Sequence, residues 1–154
     1  MSVNRHLSRT VAMQSLYEWD FHRDKEGNAK DIAHRVAEPV KKDVDMDYVE
    51  RVVTGAVEHV NEIDELVAKA APEWPIDQIS VIDKSILRLS AFELLHDEDI
   101  PPKVAINEAV EIAKTFGGLN SSKFINGVLG TIYRQSPRFV EEEKKVEESG
   151  DGAN

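Results

Sequence analysis

The sequence predicts an all-α fold, a compact bundle of about six or seven helices. Apolar residues recur at steps of three and four through almost all of the 154-residue chain. No segment shows clean period-two alternation between turn signals, the mark of a half-buried strand. Prolines at 39, 72, 75, 101 and 102 break the helical pattern into pieces of ordinary helix length.

The first helix is marked by Leu7, Val11, Ala12, Leu16 and Trp19, with Asn4 placed to cap it. A short helix is expected from Asp31 to Ala37, ended by Pro39. Val49, Val52, Val53, Ala56, Val57, Val60, Ile63, Leu66, Val67 and Ala70 form the clearest amphipathic stripe, read as one helix. The weak strand preference of its valines yields to a stripe of that length. "PEWP" (72–75) breaks the pattern, and Ser80 with Asp83 opens the next helix in a capping arrangement. Its Ile82, Ile86, Leu87, Leu89, Leu94 and Leu95 cover much of the circumference, as in a central helix. Val104, Ala105, Ala109, Val110, Ile112 and Ala113 mark another helix closed by Phe116, with Gly117 or Gly118 as a left-handed cap. The last helix starts near Asn120 or Ser121 and runs through Phe124, Ile125, Val128, Leu129 and Ile132. Residues 1–139 are expected to form a single domain. The polar segment 140–154 has no core stripe and reads as an acidic disordered tail, starting at most as a frayed helix.

Composition narrows the functions. Without cysteine there is neither disulfide nor thiolate metal site, which fits a reducing cytoplasm. No signal-peptide pattern or membrane-length apolar run is present, so a soluble cytoplasmic protein is expected. A net charge of −10 argues against nucleic acid. However, the acids concentrate in residues 38–66 and 141–154. Residues 1–17 hold Arg5 and Arg9 without an acid, and Lys103, Lys114, Lys123, Arg134 and Arg138 outnumber Glu108 and Glu111 in residues 103–138. An anion site is open if folding joins these two segments.

No catalytic constellation emerges: there is no nucleophile elbow, dinucleotide fingerprint or Walker loop. His6, His22, His34, His59 and His96 include no i, i+4 pair, so no metal site or cofactor is expected. "HDED" (96–99) reads as a solvated helix end rather than a cation site. In "FGGLNSSKFINGVLG" (116–130), glycines and polar residues describe a helix stop and restart. Lys123 does not fit that description, because a first-turn cation opposes the helix dipole by about 0.3–1 kcal/mol. A helix N-terminus with a lysine suits a phosphate, and Phe124 is either a stacking face for a base or a core residue.

"PKVAINEAVEIAKTFGGLNSSKFINGVL" (Pro102 to Leu129) resembles the NusB family of bacterial transcription antitermination factors. The resemblance rests there on Lys103 to Ala109, Ala113, Lys114, Phe116, Gly117, Ser121, Lys123, Phe124 and Asn126 to Leu129. Upstream it rests on Asp83, Ile86, Leu87, Arg88, Glu93 and Leu94, and near the start on Arg9, Ala12, Gln14, Leu16 and Tyr17. It covers about residues 5 to 134 in the family's order. It implies a NusB-like helical fold, no enzymatic activity, and binding of single-stranded boxA RNA of ribosomal RNA leaders together with NusE, a small-subunit ribosomal protein. That pair would join RNA polymerase and other Nus factors to suppress premature termination.

Carried over by position, the resemblance implies RNA contacts at Arg5, His6 and Arg9 in the first helix, and at Asn120, Lys123 and Phe124 in the later turn, with Lys103 a weaker candidate. Asp83 falls on the NusE-facing helix. Arg88, Asn107 and Asn126 are read as structural, the first as a core-edge hydrogen bonder and the others as capping or packing residues. Leu7 and Ser8 interrupt the arginine run usual at family N-termini, and Asn120 stands where other members often carry an acid. The alternatives are a homodimeric helical interaction module and an accessory RNA-binding domain of a split ribosomal RNA methyltransferase.

Overall fold

In the computed structural model, which describes residues 4–23 and 28–149, helix α1 (Arg5–Phe21) begins where expected. The Asn4 side chain accepts the Leu7 N–H at 2.9 Å, satisfying one of the donors a helix start leaves open. Helix α2 (Ala29–Ala37) is capped by Asn28 and runs into a 3-10 turn at Glu38–Val40, where Pro39 stops it.

The long valine stripe is not one helix. It forms α3 (Met46–Glu58) and α4 (Val60–Ala70), parted at His59. Gly55 lies one turn before this break. A Cβ there would lie 2.2 Å from the Phe92 ring, so α3 approaches its neighbour as only glycine allows. The His59 backbone N–H then donates to the carbonyls of both Gly55 and Val57, the shared bonding of a helix end.

After Ala71 a 3-10 turn (Ile76–Gln78) leads to α5 (Val81–His96). Ser80 Oγ accepts the Asp83 N–H at 3.1 Å, the expected cap. Every residue from Ser85 to Leu94 is buried, because α5 is wrapped by α1, α3, α4, α6 (Pro102–Phe116) and α7 (Ser121–Arg134). Leu87, Leu89 and Leu94 are among its largest fully buried side chains. Each contributes about 1.5–3 kcal/mol by leaving water, which is why the least amphipathic apolar helix takes the centre.

Two buried ionic clusters hang from α5. Arg88 forks onto Asp64 at 3.0 and 2.9 Å and reaches Asp20 at 2.8 Å, joining α4, α5 and α1. Glu93 binds Arg9 and accepts the Tyr48 hydroxyl at 2.9 Å. "HDED" is not simply a solvated helix end: Asp97 is buried and paired with Arg51.

A further helix, α8 (Pro137–Ser149), crosses the boundary expected at residue 139. It is held by Arg138, whose guanidinium donates to the carbonyls of Glu93, Leu94, Asp97 and Ile100 at the end of α5. From Val140 to Glu148 it is exposed. The part of the expected acidic tail beyond Ser149 lies outside the described residues. Among the described residues there are eight α-helices and no strand, one or two helices more than expected. The extra ones come from the break at His59 and from α8.

Candidate nucleic-acid interface

The turn from α6 to α7 is built by close contact. The Gly117 N–H donates to the Ala113 carbonyl at 2.8 Å and ends α6. Gly117 has φ −85° and ψ 176°, extended backbone rather than the expected left-handed cap. Glycine is needed for space instead, since a Cβ would lie 2.4 Å from Ser121 Cβ and 2.7 Å from the Ala113 carbonyl oxygen. Ser121 locks the turn: its Oγ accepts the Gly118 N–H at 2.8 Å and donates to Asp83 Oδ2 at 3.2 Å.

This leaves the tip facing solvent. Leu119 is 98% exposed, Asn120 is exposed, and no side chain caps α7. Lys123, in the first turn, is exposed and makes no ion pair among the described residues. Phe124 resolves both earlier readings at once: it packs against the core cluster and also lines a cleft. That cleft, of about 470 Å³, is bounded by Trp74, Ile79, Asp83, Asn120, Lys123 and Phe124. Two aromatic side chains beside a free cation and uncapped N–H groups match what unpaired nucleotides offer, a base face and a phosphate. Trp74 was missed by sequence reasoning, which took "PEWP" only as a break. A tryptophan between prolines has no helix to bury it, and it is 52% exposed.

Asp83 lies in the same cleft rather than on a separate face. Burial pushes its carboxyl pKa up, against the hydrogen bond from Ser121, and its Oδ1 is buried without a hydrogen-bond partner. It therefore anchors the turn through Oδ2 and keeps a buried, unpartnered acceptor in Oδ1.

The other basic segment meets α6 at one point, His6. Arg5 pairs with Asp45 at 3.3 Å and sits 4.4 Å over the Tyr48 ring. His6 meets Glu108 at 3.3 Å, half-way along α6. Both stay largely exposed, and surface pairs of this kind are worth about 0–1 kcal/mol, so an RNA phosphate can displace the acids. Lys103 is exposed in the first turn of α6, about 20 Å by helix rise from Phe116. α6 thus carries Lys103 at its start and meets His6 near its middle, with Lys123 beyond its end, while Arg5 lies over Tyr48 of α3.

Arg9 is not among them, and its placement as an RNA contact is corrected. Its side chain is 4% exposed and bonds both oxygens of Glu93, at 3.2 and 3.0 Å. Burial disfavours its charge, but Glu93 outweighs this and the guanidinium pKa is raised. Arg9 clamps α1 to α5 and so positions Arg5 and His6 one turn earlier. Asn107 and Asn126 are exposed within α6 and α7, not packed or capping as expected.

Comparison with known proteins follows the same outline. The NusB family model matches residues 6–134. The transcription antitermination protein NusB of Dehalococcoides mccartyi (strain CBDB1) is 41% identical over 133 residues, covering 86% of this chain and 91% of the relative. The solved structure of T. maritima NusB has a TM-score of 0.81 at 32% identity, covering 92% of this chain and 99% of that one. A crystal structure of the antitermination factors NusB and NusE with double-stranded RNA matches with a TM-score of 0.70 at 28% identity, over 82% of this chain and 93% of the matched one. With its sequence aligned over nearly all the helical body and its helices superposing on solved members, the chain belongs to the NusB family of transcription antitermination factors.

Proposed function

We propose that the chain binds single-stranded boxA RNA of ribosomal RNA leader transcripts together with NusE, and in that complex helps RNA polymerase and other Nus factors pass termination signals. It is a binding protein, not an enzyme; the curated relatives are named for antitermination. The observation that carries the reading is the cleft in which Lys123, Asn120, Phe124 and Trp74 meet at the uncapped start of α7. Phosphate sits at the helix start and Lys123, and bases stack on the aromatic faces. Arg5, His6 and Lys103 extend the path. Asp83 and the exposed Leu119 give NusE an acidic and an apolar contact beside the RNA. The solved complex of a NusB, a NusE and RNA supports the partnership. No helix among the described residues is long and apolar enough to cross a membrane, in keeping with a cytoplasmic place of action.

The test is RNA binding by the purified chain with NusE, comparing boxA with a scrambled RNA of equal length at one salt concentration. Tighter binding of boxA, enhanced by NusE, is expected. Equal affinity for the two RNAs would overturn the reading.

A further inference from the structure

We propose that His59, Glu62 and His96 form a binding site for one divalent transition-metal ion of the zinc class, away from the RNA cleft and independent of it. His59 stands at the break between α3 and α4, Glu62 is one turn further, and His96 is the last residue of α5. One ligand atom from each lies within 4.8 Å of the other two. Zinc bonds of about 2.0–2.2 Å in a tetrahedron hold donors roughly 3.3 Å apart, so the side chains need only a small contraction to close around an ion.

One of the two imidazoles is already oriented as a ligand. His59 Nδ1 lies 2.9 Å from the Gly55 carbonyl oxygen, which can only accept. That bond places a proton on Nδ1, and Nε2 has no hydrogen-bond partner among the described residues. Metal-bound histidines are oriented in this way, by a backbone carbonyl on the far nitrogen. His96 Nε2–H donates to Glu62 Oε1 at 3.0 Å, a proton that a metal ion would replace, and the two imidazole centroids are 4.1 Å apart. Phe92 stands 5.8 Å from both rings and forms an apolar wall that limits water on the inner side.

Two imidazoles and one carboxylate favour zinc, cobalt, nickel or copper over magnesium or calcium, which take oxygen ligands. Three protein ligands leave a fourth position for water. Bound metal ties the α3–α4 junction to the last turn of α5. His59 and His96 are 37 residues apart in sequence, so a search for helical i, i+4 pairs passes over them.

The untagged full chain is titrated with zinc by calorimetry and with cobalt by visible absorption, alongside His96→Ala, Glu62→Gln and His34→Ala. His34 pairs with Glu50 at a different exposed site and serves as the control. One ion per chain is expected, with tetrahedral cobalt bands and a melting temperature that rises with zinc concentration. His96→Ala and Glu62→Gln should each weaken binding at least tenfold and His34→Ala should not. Sub-stoichiometric binding by the wild type, or wild-type affinity in either site variant, overturns the proposal.

Discussion

Arg9→Met removes the one cation that, among the described residues, bonds a carboxylate that is itself 1% exposed. Glu93 then keeps the Tyr48 hydroxyl and nothing else for a full charge. Stranding one partner of a buried pair costs about 3–5 kcal/mol. The loss should lie in that range, and with a urea m-value of about 2 kcal/mol/M the unfolding midpoint falls by about 1.5–2.5 M. Adding Glu93→Gln to Arg9→Met should recover most of the loss, since no charge is then buried. Urea titrations of the wild type, the single and the double variant check all of this. A wild-type midpoint in Arg9→Met, with RNA affinity reduced, would refute the burial argument and return Arg9 to the RNA surface.

Asn120→Asp should move two measurements in opposite directions. RNA affinity falls because an anion occupies the phosphate position, while the melting temperature holds or rises, since a carboxylate at a helix start gains about 0.3–1 kcal/mol; tighter RNA binding would reject the cleft. Lys123→Glu should weaken RNA binding and flatten the log-log salt dependence by about 0.7, the value of one single-strand phosphate contact. An unchanged slope would mean that Lys123 meets no phosphate. Asp83→Asn removes a carboxyl whose pKa burial raises, so the ionised wild-type group works against folding at neutral pH. The variant should melt at or above the wild type at pH 7, and the difference should vanish as pH falls through the raised pKa and Asp83 takes up its proton; a lower melting point at pH 7 would contradict the sign.

The helices were legible wherever the information is local. Asn4 and Ser80 cap as their positions suggest, and the all-round apolar α5 is the central helix. What escaped depends on contacts between distant residues. The break at His59 and the close approach of Gly55 to Phe92 one turn before it are not signalled by the valine stripe itself. Arg9 looked like a surface cation because its partner Glu93 lies 84 residues away. Gly117 was correctly marked as special for the wrong reason, since a steric need and a left-handed backbone leave the same glycine in the sequence. At the candidate site, Asn120, Lys123 and Phe124 were found from one turn. Their juxtaposition with Asp83 and Trp74 needed the fold.

Arg138 gives the acidic end of the chain a mechanical character. Its single guanidinium reaches four carbonyls where α5 finishes, while the residues from Val140 to Glu148 lie in solvent. The segment is a cantilever clamped at its root, by Arg138 and by Phe139 against the Tyr133 ring. Shortening it beyond the clamp keeps the guanidinium bonds, whereas Arg138→Ala removes all four, leaving the Glu93 and Asp97 carbonyls only their backbone N–H partners. A rod of negative charge with a rigid root sweeps a restricted volume and repels polyanions only within that arc, so its reach is set at residue 138 and its strength by the glutamates further along.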